Sequence, residues 1–113
     1  MIEVHREADG ELCGFIERRD GRWLATTIFG AHLGSHDRED DARRQVLDVG
    51  LASLAERWIL VDAASGDEEI VCIREASPAR VTVALGYYSL PGVPSRTITR
   101  DDLDNDRWRL IRP

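Results

Sequence analysis

Lysine is absent from this chain: all 15 of its basic residues are arginine. Lysine codons are AT-rich and most arginine codons are GC-rich, so this usage indicates a bacterium or phage with a GC-rich genome. Apolar runs near the roughly 18 residues of a membrane span are also missing. The first residues alternate apolar and polar side chains, unlike the apolar segment of a signal peptide. We therefore expect a cytoplasmic protein with no membrane association.

Cysteine is scarce, with only Cys13 and Cys72 in the chain. In a chain without an export signal this indicates reduced thiols, and a Cys13–Cys72 disulfide is the less favoured alternative. Cys13 could also imitate the nucleophile of a thiol hydrolase, but a cysteine in an apolar setting more often packs as a small hydrophobe. We expect no catalytic residue and no cofactor.

Basic charge is never in excess, because the net charge of −6 is spread evenly along the chain. Residues 1–36 and 37–58 each carry four arginines against six acids, and residues 59–113 carry seven against nine. Tight nucleic-acid binding usually needs a basic face. Here a basic face would exist only if the folded chain gathered its arginines on one surface and its acids on another.

The length of 113 residues fits one domain. Possible subdomains are a βββα unit at 1–58 and an all-β unit at 59–113. The predicted fold class is α+β, with a three-stranded antiparallel meander, one long helix and a C-terminal set of three to four antiparallel strands.

Two Asp-Gly pairs, Asp9-Gly10 and Asp20-Gly21, organise the meander because they suit the positive φ angles of tight hairpin turns. With two-residue loops, Val4 faces Phe15 and Arg6 faces Cys13 across the first turn. Across the second turn, Arg18 faces Trp23, Ile16 faces Ala25 and Cys13 faces Ile28. Since side chains alternate across a sheet, this register separates two faces.

One face is mostly apolar, and we assign it to the helix; it carries Ile2, Val4, Cys13, Phe15, Leu24 and Ile28. The other face mixes aromatic, arginine and histidine side chains. We expect it to be covered by later strands or presented to a partner. The predicted interaction residues are His5, Ile16, Arg18, Arg22, Trp23 and Phe29.

The helix is predicted from about Arg38 to Trp58, capped by Ser35 or Asp37 and with acids in its first turn. Its wide apolar arc indicates burial on more than one side. Gly50 in mid-helix indicates either close contact with a strand or a kink.

The second half has the apolar alternation and turn residues of β-structure. Ile59–Ala63 is a short apolar run, and the candidate strands are Ile70–Glu75, Arg80–Tyr88, Arg96–Arg100 and Arg107–Ile111.

Three other groups of residues have some features of a metal site, a calcium loop or an aromatic binding patch. His32 and His36 have a metal-ligand spacing beside Asp37, but they precede the helix and no second ligand pair follows, so we expect no metal. The acids between Asp101 and Asp106 lack the central glycine and terminal glutamate of a calcium loop. Gly86-Tyr87-Tyr88 offers a small aromatic patch that more often serves packing.

The stretch Gly14-x-Ile16-x-Arg18-Arg19-Asp20-Gly21-Arg22-Trp23-x-Ala25, followed by Leu33-Gly34-Ser35 and Ala42, resembles AP2-type and integrase arm-binding DNA-binding domains. The resemblance covers about residues 12–50. It implies a meander whose sheet face opposite the helix enters the major groove, with Arg18, Arg22 and Trp23 at the matching positions. The segment departs from that family in being acidic. An ordinary alternative is that Arg18 stacks on Trp23 as a cross-strand cation–π pair.

These observations favour a small, acidic, non-enzymatic interaction or regulatory protein that binds another protein or a second copy of itself. The first alternative is a DNA-binding accessory protein that uses Arg18, Arg22 and Trp23. A second alternative is a small-ligand carrier or small enzyme with an apolar pocket between helix and sheet.

Overall fold

The computed structural model of the protein describes residues 1–85 and 92–113. The chain divides into two compact units, Met1–Ser53 and Leu54–Pro113. Each unit contains one antiparallel sheet, with four strands in the first and five in the second.

The first unit is a meander of four neighbouring strands that is followed by a helix. The strands are β1 (Ile2–His5), β2 (Leu12–Arg19), β3 (Arg22–Thr26) and β4 (His32–His36). The helix α1 spans Glu39–Val49. Because β4 occupies the stretch expected to hold the helix cap, the predicted three-stranded meander is one strand short.

The β2–β3 hairpin confirms the predicted second turn. Asp20 and Gly21 have φ angles of 52° and 78°, which are the positive values of a tight two-residue turn. Arg18 pairs with Trp23, and Ile16 pairs with Ala25. The local chemistry of Asp-Gly was sufficient to determine this register.

The predicted β1–β2 register is wrong by one residue. Val4 pairs with Gly14 instead of Phe15. The loop is longer than two residues, since Arg6 bonds to both Gly10 and Glu11 through its backbone. A bulge follows, in which Val4 and His5 pair with Gly14 and Leu12 and leave Cys13 unpaired on β2.

The helix α1 packs on the face of the sheet that was predicted to turn away from it. A Cβ atom on Gly14 would lie 2.9 Å from Val46 Cγ1, so this glycine allows helix and strand to approach closely. Gly14, Ile16 and Ala25 lie on that face by register. The core cluster beneath the helix contains Val4, Cys13, Ile16, Ala25, Ala42 and Val46, with Trp23, Leu33 and Leu51 packed against it.

The expectation of one long helix between a meander and the C-terminal strands is also wrong. In the part of the chain that the structure describes, the protein is mostly sheet, and α1 is the one helix longer than seven residues. It ends at Gly50, and a short 3₁₀ turn, Ala52–Ala55, follows it. Trp58 lies in a strand and pairs with Val71, because the pairing of this strand with two neighbouring strands overrides the helical pattern of its residues. The start of α1 differs as well: Arg38 is the N-cap and makes no side-chain capping bond.

The second unit contains five strands among its described residues, rather than three to four. They are β5 (Arg57–Asp62), β6 (Glu68–Ala76), β7 (Arg80–Leu85), β8 (Ser95–Thr99) and β9 (Trp108–Ile111). A short helix α2, Arg100–Asp104, joins β8 to β9. The strand order is β8-β7-β6-β5-β9, so the last strand returns to pair with the first strand of the unit.

The five-stranded sheet curls so that its two edges approach each other. Arg96 lies on edge strand β8 and Trp108 on edge strand β9, yet the guanidinium carbon is 4.6 Å from the centre of the indole ring. The inner face is the buried one. It carries Trp58, Leu60, Val71, Val81, Val83, Ile98 and Leu110.

Among the described residues, no helix has the length and apolar character needed to cross a bilayer.

Candidate interaction surface

The six predicted interaction residues do not lie on one surface. Ile16 and Phe29 are buried, with 0% and 1% of their surface exposed. Trp23 is half-buried against the core of the first unit, on the helix side of the sheet. Arg18 is exposed beside Trp23, but its guanidinium makes no stacking contact with that ring in the described structure.

His5 and Arg22 are both exposed, and local contacts hold each of them. His5 Nδ1 donates a hydrogen bond to the Gly10 carbonyl oxygen at 3.0 Å. Arg22 lies on the opposite side of the sheet from Trp23, because adjacent residues of a strand alternate. Its guanidinium bonds to Asp37 at 3.1 Å and to the Ser35 carbonyl oxygen at 3.3 Å.

The two histidines with metal-ligand spacing make bonds that belong to the fold. His36 Nε2 donates to Gln45 Oε1 at 2.7 Å, and Gln45 Nε2 donates to the Leu33 carbonyl oxygen at 3.2 Å. Gln45 therefore joins α1 to β4 at two points. His32 Nε2 lies 3.2 Å from Ser35 Oγ. No group of three or more metal-ligating side chains occurs in the ranges 1–85 and 92–113.

In the part of the chain that the structure describes, neither Cys13 nor Cys72 forms a disulfide bond. Burial raises the pKa of the Cys13 thiol above its ordinary value, and this disfavours the nucleophilic thiolate. Cys13 packs in the core of the first unit, as a small hydrophobe does.

The acidic run after β8 stabilises the helix α2 instead of forming an open turn. Thr99 Oγ1 accepts a hydrogen bond from the Asp102 backbone, and the Asp102 carboxylate accepts one from the Thr99 backbone. Arg100 Nε bonds to Asp104 at 3.0 Å. These carboxylates are therefore engaged in a capping box and an ion pair. The aromatic patch Gly86-Tyr87-Tyr88 lies outside the described residues.

An exposed apolar row crosses the outer face of the second sheet, opposite its core. Ile59 on β5 pairs directly with Ile70 on β6 and with Ile111 on β9. We call these three residues the isoleucine row. Ile70 is 45% exposed and Ile111 is 37% exposed.

Charged residues flank the isoleucine row on the same face. The next row along the strands consists of Val61 on β5, with Glu68 paired to it on β6 and Arg109 on β9. Arg57 and Cys72 form the row on the other side. An apolar centre with a polar rim is the usual arrangement of a protein-binding surface.

On β7 and β8 the same outer face carries hydroxyl side chains and the small, buried Ala84, and no large apolar side chain is exposed there among the described residues. Thr82 on β7 pairs with Thr97 on β8, and their hydroxyl groups lie 3.2 Å apart. Ser95, further along β8, is exposed. Threonine and serine are the expected residues on a solvated sheet face, and the exposed large apolar side chains of this face lie on β6 and β9, on either side of Ile59.

The sequence contains a signal for this row, which the search for alternating apolar and polar residues does not detect. Ile59-Leu60-Val61 and Ile70-Val71-Cys72-Ile73 are continuous apolar runs, not alternating ones. A continuous run in a strand places apolar side chains on both faces of the sheet. The apolar side chains on the inner face form the core. The exposure of those on the outer face requires another explanation.

Two cavities of the second unit have charged linings. One of about 270 Å³ lies at the end of the curled sheet, beside Trp108 and Arg96, and includes Asp62, Asp67, Glu68 and Glu69 in its lining. Another of about 720 Å³ is an open depression that includes Glu75, Arg80, Thr82 and Thr97. Neither has the predominantly apolar lining that the ligand-carrier hypothesis predicts.

Comparison of the chain with protein-family models, with curated proteins and with solved structures finds no match.

Proposed function

We propose that this protein is a small, acidic, non-enzymatic module that binds another protein through the isoleucine row. One observation carries the proposal: three β-branched apolar side chains stand in register on the outer face of the sheet, and two of them keep more than a third of their surface exposed. Exposed apolar rows bordered by polar residues mark interaction sites on folded proteins.

The energy available from this row is modest but sufficient for a specific contact. Fully burying an isoleucine side chain stabilises by about 1.5–3 kcal/mol. Given the exposed fractions of 45% and 37% for Ile70 and Ile111, a partner that covers both gains on the order of 2 kcal/mol. Contacts at the charged border must supply the rest of the affinity, and they also supply specificity.

We place the module in the cytoplasm. The small number of cysteines, Cys13 and Cys72, and the absence of a disulfide bond between them support this assignment, because reduced thiols are typical of that compartment. Fractionation of the source cells tests it.

A photo-crosslinking experiment tests the binding proposal. A photoreactive amino acid is placed at Ile70 in one variant and at Thr97 in a matched control, which lies on the polar part of the same outer face. Both variants are expressed in the source cells and irradiated. We expect a discrete crosslinked protein from position 70 that is absent from position 97 and is lost when Ile59 and Ile111 are both changed to Ser.

The same crosslinking pattern from both positions, or none from position 70, would contradict the proposal. Far-UV circular dichroism of each variant establishes that the sheet is intact, so that a lost crosslink reports the contact and not unfolding.

A further inference from the structure

We infer that the partner bound by the isoleucine row is a second copy of this chain, in a symmetric face-to-face dimer. The inference rests on the proposed function and specifies its partner. The charges on either side of the central strand β5 support it.

The outer face is self-complementary about an axis parallel to β5. A two-fold axis in the plane of the interface, along this strand, exchanges the side of the face formed by β6 with the side formed by β9. Ile59 of one copy then meets Ile59 of the second copy. Ile70 meets Ile111 of the second copy, so the two isoleucine rows cover each other.

The same axis pairs opposite charges. Glu68 and Arg109 both pair with Val61, one on each side of β5, so they occupy equivalent positions about the axis. Glu68 of each copy therefore faces Arg109 of the other, which gives two reciprocal ion pairs. A charge arrangement that is complementary to itself is what an isologous contact requires.

Both charged groups are available for this contact. Glu68 and Arg109 are exposed, and among the described residues neither side chain has a hydrogen bond or ion pair within its own chain. A nearby arginine, Arg112, is by contrast paired with Glu56 at 3.1 Å.

The size of the surface predicts a weak dimer. Three strands spaced by about 4.8 Å and three rows spaced by about 6.8 Å cover roughly 300 Å² per copy, or roughly 600 Å² in total. Stable interfaces exceed about 1,000 Å². The axis also brings Arg57 toward its counterpart, which opposes association. We therefore expect a dissociation constant on the order of 100 µM.

The net charge of −6 on each copy does not prevent this association. At physiological ionic strength the screening length is about 8 Å, so charges far from the interface contribute little.

Charge reversal tests the dimer and its axis together. Sedimentation velocity is measured on the full chain from about 10 µM to about 1 mM, a range that brackets the expected constant. The variants are Glu68→Arg, Arg109→Glu and an equimolar mixture of the two. Each single variant has like charges facing each other across the axis, so we expect its dimerisation to weaken at least about tenfold.

In the mixture, the Glu68→Arg chain carries two positive charges at the border and the Arg109→Glu chain carries two negative ones. We therefore expect the mixture to form a heterodimer about as strong as the wild-type dimer. A matched control, Arg80→Glu, reverses an exposed charge away from the isoleucine row and should leave the wild-type dimer unchanged.

A wild-type chain that stays monomeric up to about 1 mM would overturn the inference. So would single variants that dimerise as strongly as the wild type, or a mixture that stays monomeric. A different protein crosslinked from Ile70 in cells, together with a monomeric wild type, would refute the second copy while sustaining the proposed function. If neither crosslink nor dimer is found, both fail.

Discussion

At the scale of single residues, the clearest electrostatic feature is the Arg6–Asp9 pair in the first hairpin loop. Arg6 donates to both carboxylate oxygens of Asp9, at 3.0 Å from Nε and 2.6 Å from Nη2. The Asp9 carboxylate also accepts a hydrogen bond from the Glu11 backbone at 3.1 Å. These bonds, the Arg6 bond first, lower the pKa of Asp9 from 3.8 to about 2.

This pair predicts a specific pH dependence. Because the pKa of Asp9 is lower in the folded state than in the unfolded state, the carboxylate contributes to stability above about pH 4, and the contribution is lost as the pH falls towards 2. A carboxyl-detected NMR titration should give a midpoint near 2 for Asp9. In Arg6→Gln the midpoint should move up towards the ordinary value, while titration at the ordinary value in the wild type would refute the bond.

Arg18 and Trp23 are a cross-strand pair of the second hairpin. Their pairing across the hairpin was predictable, since the Asp20-Gly21 turn sets the register. Which side of the sheet the pair occupies was not predictable in the same way, because both faces carry apolar residues. The helix packs where Gly14 and Gly34 leave room, and this places Trp23 under it.

At the scale of elements, the contact between α1 and β2 depends on Gly50. A Cβ atom at this position would overlap the Cys13 carbonyl oxygen, which belongs to the backbone of β2. Of the two alternatives for Gly50, the structure has the close strand contact, but Gly50 lies at the end of the helix and not in mid-helix. A backbone oxygen cannot move aside as a flexible side chain can.

Gly50→Ala should therefore destabilise the protein although alanine is the better helix former. The gain in helix propensity is about 1 kcal/mol, and an overlap with backbone typically costs about 1–3 kcal/mol. We expect a lower midpoint of urea unfolding, followed by far-UV circular dichroism. Asp48→Ala, at an exposed position of the same helix, is the control and should leave the midpoint unchanged or raise it slightly. A midpoint raised by Gly50→Ala would mean that helix and strand are further apart than described.

At the scale of the whole molecule, the acidic charge bears on the DNA-binding alternative. Several arginines of the first unit are neutralised locally: Arg22 bonds to Asp37, and Arg19 bonds to Glu17. Trp23 packs on the helix side, whereas the resemblance implies that it lies on the exposed DNA-binding face. The geometry therefore gives this alternative no support, and DNA binding stays a prediction from the resemblance.

We expect no retardation of duplex DNA by the full chain, even at about 50 mM salt where phosphate contacts are strongest. An electrophoretic mobility assay with fragments of mixed sequence measures this. Retardation that weakens steeply with salt and disappears in Arg18→Ala would restore the DNA-binding hypothesis.

Predictability differs between the two units for a physical reason. Turns are local, so Asp20-Gly21 specified its hairpin, and the strands of the second half follow closely from their apolar runs. The end of α1 is not local. Residues after Gly50 continue a helical apolar pattern, but Trp58 pairs with β6, and Ile59 and Leu60 pair with strands on both sides. That pairing determines their structure.

The isoleucine row also depends on contacts that are not local in the sequence. The isoleucine row was missed because Ile59, Ile70 and Ile111 are far apart in the sequence and become neighbours through strand pairing alone.

By itself, the amino-acid sequence determined the acidic balance, the Asp20-Gly21 hairpin with its register and the β-rich second half, since all of these depend on composition or on neighbouring residues. Tertiary structure decided where α1 ends, which sheet face it covers and which apolar side chains remain exposed. Those outcomes depend on contacts between distant segments, where a glycine that permits close approach or a strand that gains two partners outweighs the local preference of each residue.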